Sequence, residues 1–143
     1  MNGGFRAPDA RAIQLLAAAI LVGPLPLVLI FGMLDPIAGL RVLYLPAIVA
    51  GIGALIAGLL LHRLLIGRAG SLPDAAARAQ GMLVAILAPL ALTEAAALIG
   101  AMAFSAARDA WSLVGVAAHL VLGVAIWPGR GRIETVLHPP GGE

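Results

Sequence analysis

Residues 80–104 read QGMLVAILAPLALTEAAALIGAMAF. The run is apolar throughout and too long for an ordinary buried helix, yet it carries one carboxylate, Glu94, near its middle. A membrane helix needs about 20 mostly apolar residues, and this stretch supplies them. A carboxylate at such depth is expensive, so Glu94 asks for a reason.

The rest of the chain agrees with that reading. Of its 143 residues 62% are hydrophobic and 11% charged, more apolar surface than one soluble core of this size could hide. A soluble enzyme is excluded on composition. There is no cysteine, which removes disulfides, thiol nucleophiles and thiolate metal sites. Three further runs have the length or nearly the length of a span: Ala12–Leu34, Val42–Leu61 (extendable to Ile66) and Trp111–Trp127. The first is longer than the apolar core of a secretory signal and no small-residue cleavage site follows it.

All nine basic residues are arginine. Arg6, Arg11, Arg63, Arg68, Arg78, Arg130 and Arg132 fall on one side of the four spans, whereas Arg41 and Arg108 fall on the other. The positive-inside rule then places both termini and the middle loop in the cytoplasm of, by expectation, a bacterial inner membrane. The arginines flank apolar runs and form no consecutive block, so they read as topological anchors and not as a nucleic-acid surface. Short outer loops, Asp35–Arg41 and Ser105–Ala110, make successive helices antiparallel neighbours. The expected fold is all-α: an integral membrane four-helix bundle, antiparallel and up-down, with spans at 12–34, 42–61, 80–104 and 111–127. A cytoplasmic N-terminal segment occupies 1–11. A flexible cytoplasmic tail occupies 128–143, where glycine and proline are frequent. Ser71 and Asp74 form a Ser-x-x-Asp pattern that can open the third helix near Leu72.

Within the spans, Pro24 and Pro26 interrupt the first and Pro89 the third, each freeing a carbonyl one turn earlier. Ala47, Gly51, Ala54 and Gly58 recur at helical spacing in the second span, and Gly115 belongs to a similar stripe in the fourth. Such stripes let helices approach closely, within the bundle or between copies.

His119 is ionisable and deep in the fourth span. Counted from the outer boundary at about 1.5 Å per residue, Glu94 and His119 lie at similar depths on helices joined by a short loop. Thr93 adjoins Glu94 but points about 100° away around the helix. Three roles are open: a neutral Glu94 hydrogen-bonded to His119 or a carbonyl as interhelical glue, a Glu94 that binds and releases a proton or cation, or a His119 that ligates haem or metal. The ion-binding candidates are therefore Glu94 and His119. No phosphate loop, metal-ligand spacing or nucleophile elbow is present, so the sequence suggests no catalytic residue, metal or cofactor. The expected partners are the lipid bilayer and either further copies of the chain or subunits of a membrane complex, with no nucleic acid.

The segment 45–104 resembles the c-subunit hairpin of rotary ATP synthases. Gly51, Gly53 and Gly58 stand where that family has its glycine-rich helix, and Ala91–Gly100 reads like its carboxylate helix. Where the family's loop carries Arg-Asn-Pro or Arg-Gln-Pro, this chain has Ser71-Leu72-Pro73. The resemblance implies that Glu94 is the ion-binding carboxylate and that copies form a ring.

Overall fold

A computed structural model describes residues 10–34 and 42–137, and the described chain is helical with short turns. The expectations for residues 1–9, 35–41 and 138–143 lie outside these residues. The all-α class is as expected. Helix α1 spans Ala10–Val22 and α2 Pro24–Met33, separated only by Gly23. Gly23 itself keeps right-handed helical angles and its N–H reaches Ala19 O and Ile20 O, so the two helices are one interrupted rod. The interruption follows from Pro24 and Pro26, which offer no N–H to the turn before them.

Helix α3 runs Tyr44–Gly70 and α4 Ala75–Ala107. A 3-10 turn at Ala110–Leu113 leads into α5, Val114–Ala125, and α6 covers Arg130–Leu137. Three stretches are long and apolar enough to cross a membrane, Arg11–Met33, Tyr44–Gly70 and Ala75–Ala107, and a shorter apolar helix occupies Ala110–Ala125. This is consistent with an integral membrane protein. The outward surface agrees: Leu29, Val49, Leu64 and Val124 are each 70% exposed or more.

Several boundaries differ from the sequence reading. The second helix passes Leu61 without a break, because Leu, Ile, Arg and Ala up to Gly70 are tolerated or favoured in a helix. It therefore takes His62, Arg63 and Arg68 into one rod. Ser71 does not open the next helix. Its Oγ donates to Arg68 O, 2.8 Å away, closing α3. Asp74 alone caps α4, its Oδ1 accepting from Ala77 N at 2.7 Å, and the helix starts five residues before Gln80. Where composition reads a loose tail from Pro128, residues 130–137 form α6. Ile133 is buried in the core and Gln14 Nε2 donates to Pro128 O at 2.9 Å. One buried apolar side chain per two turns is enough to hold a short helix that glycine-rich flanks would not stabilise alone.

Helix α4 touches every other helix. Two kinds of packing meet along it. Toward α1, α5 and α6 the core is bulky: Ile13, Met82, Ile86, Leu90, Leu122, Ile126 and Ile133. Toward the other end it is made of small residues. A Cβ on Gly51 would fall 2.7 Å from Gly115 N, and one on Gly100 would fall 2.6 Å from Ser112 O. A Cβ on Gly115 would run into Ala96 O. Ala47, Ala54 and Gly58 are buried on the same face of α3. Backbone-to-backbone approach of this kind is how helices pack where lipid removes the hydrophobic drive.

Candidate functional site

The prolines determine where polar side chains gather. Pro24 offers no N–H to Ile20 O, which keeps only a shared contact from Gly23 N at 3.2 Å. His119 Nε2, from α5, sits 3.2 Å from that oxygen. Pro89 does the same to Ala85 O, and His62 Nδ1, from α3, lies 2.8 Å away. Each interrupted turn is thus closed by a histidine from another helix, which is how a proline survives in a spanning helix.

His119 and Thr93 are both fully buried, and Thr93 Oγ1 stands 2.9 Å from His119 Nδ1. The same hydroxyl lies 3.1 Å from Leu90 O and 3.2 Å from Pro89 O. Hydrogen-bond chemistry assigns the roles. A carbonyl only accepts, so Nε2 of His119 carries a proton toward Ile20. In the neutral ring Nδ1 then accepts from Thr93. In the imidazolium Nδ1 donates to Thr93, and the hydroxyl turns to Leu90 O. The chain Ile20–His119–Thr93–Leu90 is satisfied in both states.

Glu94 is placed differently. It follows Thr93 on α4, and the roughly 100° step between successive residues turns it out of the core. It is half-buried, and its Oε1 lies 3.2 Å from the point where a Cβ on Gly23 would stand. Ile20 O and Ala19 O lie 3.3 and 3.6 Å from that same point. Glu94 and His119 therefore approach one proline-broken turn, His119 at Ile20 O and Glu94 beside Gly23. They are not hydrogen-bonded to each other: His119 is taken by Thr93 and Ile20, and among the described residues Glu94 makes no hydrogen bond or ion pair. The absence of a Cβ at Gly23 leaves the carboxylate room beside the backbone.

Sequence reasoning set Thr93 aside and did not weigh His62. The 100° offset that separates Thr93 from Glu94 is what aims it at His119. His62 had a legible signal, a histidine within an apolar helix facing a helix that contains proline. Among the described residues no three His, Asp or Glu side chains gather as a metal site would require.

Comparison with known proteins finds no matching family model, no matching curated protein and no matching solved structure.

Proposed function

We propose that this chain is a four-helix, antiparallel membrane protein with both termini in the cytoplasm, and that Glu94 binds and releases a proton or cation at mid-membrane. One observation carries the reading. Glu94 is the acid of the long apolar helices, and it has no hydrogen-bonding partner among the described residues. A carboxylate used as glue inside the bundle would be hydrogen-bonded there. Its partner is therefore a proton, a cation, or a group of another copy. On the α3-facing side of α4, away from Glu94, Ala95 and Ile99 line a shallow groove with Gly53 and Ala57, a separate surface suited to self-association. The c-subunit resemblance, with its ring of carboxylate helices, is the arrangement this reading extends.

The rival is a structural or assembly subunit in which Glu94 bonds to a partner helix. Glu94→Gln separates the two, since it keeps hydrogen bonding and removes titration. In proteoliposomes the ion-handling reading expects flux coupled to a gradient in the native chain and its loss in Glu94→Gln. Unchanged flux in the variant overturns the reading. Slow carbodiimide labelling of Glu94, with protection by sodium, would identify a cation site, and labelling without protection a proton site.

The orientation has its own test. The chain lacks cysteine, so Ser71→Cys and Ala110→Cys each introduce one thiol. An impermeant maleimide added to intact cells should label Cys at 110 and not at 71. The reverse pattern inverts the topology.

A further inference from the structure

The geometry points to a binding site for an anionic phospholipid that starts between the end of α3 and the start of α4 and continues along the outer face of the first half of α4. Two hollows of about 450 and 480 Å³ adjoin there, with Gln80 and Val84 lining both; the first lies between α3 and α4, and the second runs along α4 alone. At the mouth of this furrow lies Arg68, one of the last residues of α3. Beyond Gln80 and Val84 the furrow is lined by Leu87, Ala88 and Ala91. From Gln80 to Ala91 it follows α4 for about 16 Å at 1.5 Å per residue. That is close to half of the ~30 Å hydrocarbon core, the depth of one leaflet.

Polarity runs in the same direction as depth. Among the described residues the guanidinium of Arg68 has no hydrogen-bond or ion-pair partner, while its backbone carbonyl accepts from Ser71. Arg78 is occupied differently, donating to Leu72 O and Pro73 O at 2.9 and 3.2 Å, which holds the turn that walls the mouth. Arg63, Arg68 and Arg78 outnumber Asp74 in this region, and Asp74 is committed to capping α4. An uncommitted guanidinium above an apolar furrow one leaflet deep matches a phosphate headgroup above an acyl chain, because Arg offers a planar pair of donors to phosphate oxygens. This site needs the chain to span a membrane but does not depend on Glu94 handling an ion.

Native mass spectrometry of the full chain, with phosphatidylglycerol or phosphatidylcholine of equal chain length titrated into detergent, tests the site. Phosphatidylglycerol should bind one copy preferentially. Arg68→Gln should weaken that first binding by about fivefold, the scale of one interfacial arginine. Arg63→Gln, which alters an exposed arginine outside the furrow, should change it less than twofold. Ala88→Phe fills the furrow without touching charge and should also weaken binding. Inorganic phosphate at millimolar concentration should not compete, since the chain of the lipid supplies part of the attachment. Equal losses in the Arg68 and Arg63 variants would overturn the site in favour of diffuse attraction. Equal binding of the two lipids, displacement by phosphate alone, or indifference to Ala88→Phe would overturn it as well.

Discussion

His62 Nδ1 lies 2.8 Å from the oxygen that Pro89 leaves without a donor, so a ring on α3 completes a turn of α4. His119 stands in a similar relation to Pro24, sharing Ile20 O with the N–H of Gly23. The two pairs act as cross-links: the proline withholds an N–H at a fixed place, and a donor from a neighbouring helix uses the acceptor it leaves under-satisfied. That couples a local backbone defect to the choice of which helices pack together.

The coupling is measurable as a double-mutant cycle. His62→Leu in the native background should destabilise the fold by about 0.5–2 kcal/mol, the range for interhelical hydrogen bonds in membranes. In a Pro89→Ala background the restored N–H serves Ala85 O, and the same change should cost little for that bond. Thermal or steric-trap unfolding in detergent reads both. Equal costs in the two backgrounds would show that the ring acts through packing alone.

For His119 the expected neutral tautomer has the proton on Nε2, because that nitrogen faces a carbonyl. Nitrogen NMR of the labelled ring checks it directly. Thr93→Val removes the hydroxyl at nearly constant shape and should cost about 1 kcal/mol. Thr93→Val combined with His119→Leu should cost less than the two single changes added together, since both remove the same bond.

Among the glycines, two should behave in opposite ways. Gly115→Val drives a side chain into the Ala96 backbone and should destabilise by about 2 kcal/mol or more through overpacking. Gly53 has nothing within 4 Å of its would-be Cβ and lies in a helix, so Gly53→Ala should be neutral or stabilise by up to about 1 kcal/mol. If Gly53→Ala leaves the monomer's stability unchanged but reduces self-association in detergent, the groove it shares with Ala57, Ala95 and Ile99 is the contact between copies.

Arg108 has two distinct roles. It ends α4 in the left-handed region, at φ 52°, and its guanidinium donates to Gly32 O and Leu34 O at the end of α2. Arg108→Ala loses the donors and keeps the backbone strain. Arg108→Gly loses the donors but relieves the strain, so it should be the milder change by about 1 kcal/mol. Unfolding midpoints of the two variants decide the order. With these donors Arg108 caps the carbonyl end of α2, where positive charge is favoured.

How much of this was legible in the sequence varies by residue. The long apolar runs gave the helices, since length and hydropathy suffice for that. The ends were less legible. Ser71 looks like an N-cap in Ser-x-x-Asp, but the helix before it reaches Gly70, and a hydroxyl beside a helix end bonds whichever orphan group is nearer. Pro128 and the glycines after it look unstructured, because composition does not show that Ile133 is buried in the core where α6 packs against α4. The site divides the same way. Glu94 and His119 could be singled out by charge and depth. Their separation could not, since it depends on the rotation of α4 about its axis, which a featureless apolar sequence leaves open. The link between His62 and Pro89 spans two helices and is invisible in either one.

The helices differ greatly in reach. The 3-10 turn and α5 together extend about 26 Å, whereas the 33 residues of α4 extend about 50 Å. In a bilayer with a hydrocarbon core of about 30 Å the ends of α4 would stand outside it, whereas the α5 flank would fall a few ångströms short, so lipids there would pucker inward to meet it. The annulus around a spanning chain would therefore be lopsided. A host membrane of uniform depth will resist the distortion, and the chain should partition into thinner patches or turn its short flank toward another protein.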